Sequence, residues 1–128
     1  MQKTQRELVA THFEATVPRW EQYYASHSSQ SVYATIYRSR LAVALSLADG
    51  LRLPRGSRCL DVGCGPGLAT VALAQCGFIV NAIDLIKAQL DRTQQHAAEA
   101  RLAGSASSRA SATYTTSIFQ RASLTSSL

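Results

Sequence analysis

The chain has 128 residues, of which 46% are hydrophobic and 16% charged, and it carries a formal net charge of +5. This length accommodates one compact unit, the composition excludes disordered, collagen-like and heptad-repeat proteins, and no apolar run reaches the ~18 residues of a membrane-spanning helix. The 13 basic residues are scattered along the chain and form no dense stripe, so we do not expect a nucleic-acid partner.

The first stretch, residues 1–54, is predicted to be helical. Thr4 and Glu7 form the T-x-x-E pattern of a capping box ahead of apolar residues at helical spacing, and Pro18 is expected to end this first helix. A second helix is predicted over residues 31–50. Six of the nine aromatic residues fall in this stretch.

The apolar pattern changes in the second stretch, residues 55–104, and there it predicts a β-α-β unit. A short strand over residues 58–62 leads into a glycine-rich loop and a helix, and a second, buried strand ends at Asp84. A further helix is predicted over residues 87–102, with Gly104 as its stop signal.

The last stretch, residues 105–128, differs in composition from the rest of the chain. It contains eight Ser and four Thr but no acidic residue, which is typical of a tail. Two alternatives remain for it: disorder, or one loosely held strand over residues 112–119.

Three cysteines, Cys59, Cys64 and Cys76, are spaced neither as a zinc-binding pair nor as a redox CxxC motif. We therefore predict reduced thiols and no metal site. The N-terminal residues lack the apolar core of a secretory signal, so we expect a cytoplasmic protein.

The glycine-rich loop is the most informative segment of the chain. A parallel strand that turns tightly into a helix leaves unpaired helix amides facing the crevice at the carboxyl edge of the sheet. Glycine at positions 63, 65 and 67 allows a ligand to approach the main chain, and Pro66 stiffens the loop. The loop is therefore predicted to bind a ligand.

Asp84 indicates what kind of ligand this is. The ends of neighbouring parallel strands lie side by side, so its carboxylate is placed to accept both hydroxyls of a ribose. The dinucleotide pattern G-x-G-x-x-G requires glycine at position 68, where this chain has Leu68. Asp61 just before the loop would repel a diphosphate but suits a ligand with ammonium and sulfonium charges.

Residues 60–67, Leu-Asp-Val-Gly-Cys-Gly-Pro-Gly, resemble the first motif of class I S-adenosylmethionine-dependent methyltransferases. The resemblance implies an α/β, Rossmann-like fold, S-adenosylmethionine as cofactor and a small-molecule methyl acceptor. It also implies that Asp61 orients the methionine end, that Asp84 binds the ribose, and that Leu85 or Ile86 packs against the adenine. The loop residues implied to form the cofactor surface are Gly63, Cys64, Gly65, Pro66 and Gly67.

The resemblance covers about residues 13–104, and it implies that the helical N-terminal stretch is a lid over the substrate. Candidate lid contacts to substrate are His12, Tyr23, Tyr24, His27, Tyr33 and Tyr37. We identify no catalytic residue among them, because methyl transfer from a sulfonium requires mainly positioning and exclusion of water.

The chain departs from the family after the second strand. A complete member has a seven-stranded sheet whose third strand ends in an acidic residue, whereas the last acidic residue here is Glu99. We therefore expect an incomplete methyltransferase fold, corresponding to an N-terminal portion. Truncation, a shifted reading frame and a natural short form all fit this pattern. Two strands alone would leave a sheet edge uncovered, which predicts self-association or a partner that completes the sheet.

Three functional hypotheses follow. The first is a methyltransferase acting on a small molecule. The second is a non-catalytic S-adenosylmethionine-binding fragment or partner subunit, and the third is an NAD-binding half-domain, which Leu68 and Asp61 disfavour. A purely structural alternative is that Asp61 and Asp84 only cap helices and the glycines only make a turn.

Overall fold

A computed structural model describes residues 1–25, 32–105 and 115–121. These residues form four helices and four strands. In chain order the elements are α1 (Gln5–Ala25), α2 (Val32–Gly50), β1 (Arg58–Val62), α3 (Leu68–Gln75), β2 (Ile79–Asp84), α4 (Lys87–Glu99), β3 (Leu102–Ser105) and β4 (Thr115–Arg121). None of the described helices is long and apolar enough to cross a membrane.

The N-terminus of α1 has the predicted capping box. The Thr4 amide donates to Glu7 Oε2 at 2.7 Å, and the Glu7 amide donates to Thr4 Oγ1 at 3.3 Å. The Thr4 backbone and hydroxyl bonds lower the pKa of Glu7, because both favour its ionised form. The cap is therefore complete above the ordinary pKa of a glutamate and is lost as the pH falls through the lowered value.

The prediction that α1 ends before Pro18 is wrong, since the helix continues through this residue to Ala25. A proline inside a helix removes its own amide hydrogen bond and strains the preceding turn. α1 packs against α2 and against α4, and packing of this kind provides most of the stability of helices in proteins. The second helix, α2, ends at Gly50 as predicted, and its first residue, Val32, is one position after the predicted start.

The predicted β-α-β unit is present, with β1 and β2 paired in parallel from Arg58 opposite Ile79 to Val62 opposite Ile83. The buried residues of β2 alternate along the strand, and they pack under α3 and α4 in a small apolar core. On the other face of the sheet, Leu60 and Val62 are 60% and 66% exposed. The helices α3 and α4 thus cover the face from which Asp61 and Asp84 project.

The end of α4 differs from the prediction. The helix stops at Glu99, and Arg101 makes the turn with a φ of +56°. Gly104, predicted as the stop signal, instead lies in β3 opposite Phe119 of β4. The glycine was a plausible stop because it adopts positive φ easily, but the chain places a left-handed residue three positions earlier.

The sheet has four described strands in the order β1-β2-β4-β3, not two. β4 runs antiparallel to β2 and pairs with it from Val80 opposite Phe119 to Asp84 opposite Thr115. The strand alternative for the last stretch is therefore correct for residues 115–119, and β4 continues two residues further, to Arg121. Residues 106–114, which include the predicted start of the strand, and 122–128 lie outside the described residues. The edge of β2 that the prediction left uncovered is occupied by β4.

Candidate functional site

The glycine-rich loop is fixed to the end of β2 by main-chain hydrogen bonds. The amides of Gly63 and Cys64 both donate to the carbonyl oxygen of Ile83, at 2.8 and 3.1 Å. These bonds continue the β1–β2 pairing past the last residue of β1. The loop therefore begins directly beside Asp84, at the carboxyl edge of the parallel pair.

Two of the loop glycines have different surroundings. Gly65 has a φ of +57°, and a Cβ atom built on it would meet nothing within 4 Å. Gly67 has a φ of +85°, and a Cβ atom there would lie 2.4 Å from Cγ2 of Thr93. Gly65 thus faces open space, whereas Gly67 allows the loop to pack closely against α4.

α4 also holds the loop carbonyls. The Thr93 hydroxyl donates to the carbonyl oxygen of Gly65 at 2.9 Å. Nδ1 of His96 lies 2.7 Å from the carbonyl oxygen of Pro66. A carbonyl oxygen only accepts, so His96 donates from Nδ1 in this contact. With two carbonyls bound to α4, the loop has a fixed orientation next to the cavity.

Asp84 is buried and connects the loop to the start of α4. Its Oδ2 accepts from the Gly65 amide at 2.9 Å, and its Oδ1 accepts from the Ile86 amide at 2.8 Å. A carboxylate has about four lone-pair positions, so these bonds leave about two for a ligand. The helix-capping role of the structural alternative is not observed, because Asp84 bonds the amide of Ile86 ahead of α4 and no side chain caps the helix itself. Asp84 also lines a cavity at this edge of the sheet.

Asp61 is oriented by α3. Its Oδ2 accepts from the Thr70 hydroxyl at 2.6 Å, and Thr70 is completely buried. The short distance and the ionised acceptor are typical of a strong hydrogen bond. Thr70 is therefore a positioning residue for Asp61 that the sequence analysis did not identify.

A cavity of about 490 Å³ opens at this edge of the sheet, within the size range of small-molecule sites. The loop, the end of β2 and the first turns of α3 and α4 form its walls, and α1 and α2 contribute Val9, Phe13 and Tyr37. Two carboxylates, Asp61 and Asp84, line it, and none of the described residues that line it is a lysine or arginine. Within residues 1–25, 32–105 and 115–121 no cluster of potential metal ligands is found.

Most of the predicted site residues lie around this one cavity. Those that line it are Asp61, Gly63, Cys64, Gly65, Pro66, Asp84 and Leu85. The exception is Gly67: it was expected to form part of the binding surface, but it contacts Thr93 instead of lining the cavity. Ile86, the second candidate for the apolar wall, is also a lining residue.

Among the candidate lid residues, Tyr37 lines the cavity. His12 lines a separate shallow groove on α1, and Tyr33 is 62% exposed. The side chains of Tyr23 and Tyr24 lie outside the described part of the structure, as does His27. Phe13 and Val9, which were not singled out as ligand contacts, face the cavity because they lie one helical turn apart on α1.

The Cys64 thiol is buried in the loop, 3.6 Å from the Thr93 hydroxyl. Burial is the main cause that raises the pKa of Cys64 from an ordinary 9.0 to about 12, the Thr93 hydroxyl lowers it, and the carboxylates of Asp84 and Asp61 raise it further. A thiol of this kind is a poor nucleophile near neutral pH, because the thiolate is the reactive form. Cys64 is thus a packing residue of the loop.

We expect alkylation by iodoacetamide at mildly alkaline pH to follow this difference. Cys76 is exposed and should react first, Cys59 is partly buried and should react more slowly, and Cys64 should react only when the protein unfolds. The raised pKa alone makes the thiolate fraction of Cys64 about 1,000-fold smaller than that of a thiol with the ordinary pKa of 9.0. Peptide mapping by mass spectrometry measures the order, and Cys64 labelling at the rate of Cys76 would contradict this description of the loop.

Comparison with known proteins places this site in context. The family described as Methyltransferase domain matches residues 60–123. Ubiquinone biosynthesis O-methyltransferases of Haemophilus ducreyi and Paracidovorax citrulli are 48% and 46% identical over 44 and 56 residues, or 34% and 44% of this chain. The S-adenosyl-L-methionine-dependent Diels-Alderase iliD of Neonectria sp. is 29% identical over 66% of this chain. No solved structure gives a significant match.

Fold and site together define a Rossmann-like α/β protein with a cavity at the carboxyl ends of β1 and β2. The matched region includes the loop and spans half of the chain, and the chain belongs to the methyltransferase domain family. The resemblance drawn from residues 60–67 is confirmed. The matched segments make up 19%, 24% and 43% of the three relatives, so this chain corresponds to less than half of each.

Proposed function

We propose that the cavity binds S-adenosylmethionine and that the whole protein transfers its methyl group to a small-molecule acceptor. The observation that carries this proposal is the charge of the cavity: Asp61 and Asp84 line it with two carboxylates, and the part of the chain that the structure describes contributes no lysine or arginine to its wall. Such a site attracts a ligand with ammonium and sulfonium charges and repels a diphosphate. This supports S-adenosylmethionine over NAD.

The residues present fit this cofactor. We propose that Asp84 binds the ribose hydroxyls with its free lone pairs and that Leu85 packs against the adenine. Gly63 and Gly65 would approach the ligand with their main chain, because a Cβ atom on either would point into open space. Cys64 and Pro66 would complete this wall, Asp61 would orient the methionine end, and Gly67 would support the loop from behind.

The cofactor, when bound, supplies a methyl group that is already activated by the sulfonium. The protein then has to hold the acceptor in line with the breaking bond and to exclude water. We propose that the N-terminal stretch 1–54, which contains α1 and α2, acts as the lid for this purpose, since Val9, Phe13 and Tyr37 bring apolar surface to the cavity. The relatives named as ubiquinone biosynthesis O-methyltransferases support an oxygen atom of a small molecule as the acceptor.

A second function, binding of the cofactor without catalysis, is favoured by one observation. β1 pairs only with β2 among the described strands, and Leu60 and Val62 are exposed beside its open edge. We propose that self-association or a partner covers this part of the sheet. In that case the chain alone would bind the cofactor, and transfer would require the completed sheet.

A cytoplasmic location of the protein stays a prediction.

Calorimetry with two ligands tests the proposed function. We expect the full chain to bind S-adenosylhomocysteine and not to bind NAD at comparable concentrations. Transfer of a labelled methyl group from S-adenosylmethionine into small molecules of a cell extract then separates the two functions: binding with transfer supports the enzyme, and binding without transfer supports the non-catalytic module. Binding of NAD alone would overturn both.

A further inference from the structure

Gln89 in the first turn of α4 is a polar residue that the fold does not explain. Gln89 is one of the residues that line the cavity, yet only 2% of it is exposed. Its Oε1 atom is buried and has no hydrogen-bond partner. A buried acceptor without a donor destabilises a protein, and an apolar side chain of this size would fill the same space without that cost. A ligand that donates to Oε1 would account for the glutamine.

Hydrogen bonds to Ile86 and Thr93 hold the main chain of Gln89 at the start of α4. Its amide donates to the carbonyl oxygen of Ile86 at 3.1 Å, and its own carbonyl oxygen lies 3.1 Å from the Thr93 hydroxyl. That hydroxyl is also 2.9 Å from the carbonyl oxygen of Gly65. The carboxamide is therefore positioned by the same helix that fixes the glycine-rich loop.

The cavity wall has an order along the chain that indicates which part of a ligand reaches Gln89. Asp84 provides acceptors suited to a ribose, Leu85 and Ile86 follow it as apolar residues, and Gln89 comes one helical turn after Ile86. A flat base attached to a ribose at Asp84 would lie along the apolar residues. The edge of that base is the part that requires polar recognition.

We propose that Oε1 of Gln89 accepts a hydrogen bond from the exocyclic amine of the adenine, which makes Gln89 a specificity-determining residue for the base of the cofactor. The inference rests on the proposed function, because it assumes an adenine nucleoside in the cavity. It adds a recognition residue that none of the loop motifs contains. An adenine amine is a suitable donor because a carboxamide oxygen can accept from it without any change of charge.

The test combines a change in the protein with a change in the ligand. Gln89→Leu in the full chain is expected to bind S-adenosylhomocysteine about tenfold more weakly than the wild type, the loss of one buried hydrogen bond. The analogue with unsubstituted purine in place of adenine lacks the amine. This analogue should bind the wild type about tenfold more weakly than S-adenosylhomocysteine does. It should bind the wild type and Gln89→Leu equally well.

Thermal melting without ligand supplies a second measurement. Gln89→Leu is expected to melt at the same temperature as the wild type or higher, because the variant removes an unpaired buried oxygen. Gln89→Met, which keeps the length of the side chain, should give the same pattern of affinities. As the matched control, Gln95→Leu changes an exposed glutamine of the same helix, whose Oε1 accepts from Arg92, and should bind both ligands like the wild type.

Several outcomes would overturn the inference. Equal weakening of both ligands by Gln89→Leu would show that Gln89 only shapes the cavity, and a lower melting temperature of the unliganded variant would show a structural role. If the wild type binds both ligands equally, the amine is not recognised and the inference fails while the proposed function stands. If the wild type binds neither ligand, the proposed function fails first.

Discussion

Replacing Gly67 by alanine is expected to destabilise the folded chain by about 3 kcal/mol, from overpacking and from a left-handed backbone that alanine rarely adopts. The new Cβ atom would lie 2.4 to 2.7 Å from three side-chain atoms of Thr93, and φ at this position is +85°. Thr93 is completely buried and bonded to the loop, so it has little freedom to move. Chemical denaturation followed by circular dichroism measures the change.

Gly56 provides a matched control for this substitution. It has a φ of +83°, close to that of Gly67, but a Cβ atom there would meet nothing within 4 Å. Gly56→Ala is therefore expected to cost only the backbone component, about 1 kcal/mol. The difference between the two variants isolates the contact between the loop and α4. Equal losses would mean that the loop does not pack against Thr93 as described.

Replacing Asp84 by asparagine is expected to weaken binding of S-adenosylhomocysteine about 100-fold, because hydrogen bonds to a charged group contribute about 1.5–3 kcal/mol. The asparagine keeps the shape of the side chain but has only one acceptor oxygen. Its NH₂ group would face the Gly65 or the Ile86 amide, donor against donor, so the variant should also melt at a lower temperature. Calorimetry below the melting transition gives the affinity.

Asp91→Asn removes the same charge away from the cavity. Asp91 lies on the exposed side of α4, where it forms an ion pair with Lys87 at 2.9 Å. Exposed ion pairs contribute little to stability, so this variant should bind like the wild type. Asp84→Asn with the affinity of Asp91→Asn would favour the alternative in which Asp84 has only a structural role, bonding the Gly65 and Ile86 amides.

The part of the fold that local signals determine was predictable. β1 has the predicted bounds, Arg58–Val62, and β2 ends at Asp84 as expected. Glycines that require positive φ, placed between a strand and a helix, restrict the backbone to few conformations. The predicted site residues other than Gly67 share one cavity for the same reason, since they lie on one strand-loop-helix connection and at the end of the adjacent strand.

Features set by contacts between distant residues were not predictable. Arg101 adopts a φ of +56° and ends the α4 region before β3 begins, although Gly104 has the higher preference for this conformation. β3 exists because Leu102–Ser105 pairs with β4, and no local pattern indicates that pairing. The choice of β2 as the antiparallel neighbour of β4 likewise depends on the tertiary structure.

The contribution of α4 to the site was missed for a related reason. The sequence of α4 is rich in good helix formers, and its residues are ordinary in that role. Gln89 and Thr93 gain their importance from the rotation of the helix, which turns both toward the loop. Periodicity predicts which residues share a helix face, but it does not show which of them reach a ligand cavity.

A crystal structure of the full chain with S-adenosylhomocysteine tests the central claim most directly. We expect the ribose hydroxyls within hydrogen-bonding distance of Asp84, the nucleoside against the main chain of Gly63 and Gly65, and the methionine end on the side of Asp61. A ligand bound elsewhere would contradict the account. So would a cavity closed by Phe13 and Tyr37 with the Asp84 carboxylate directed away from the ligand.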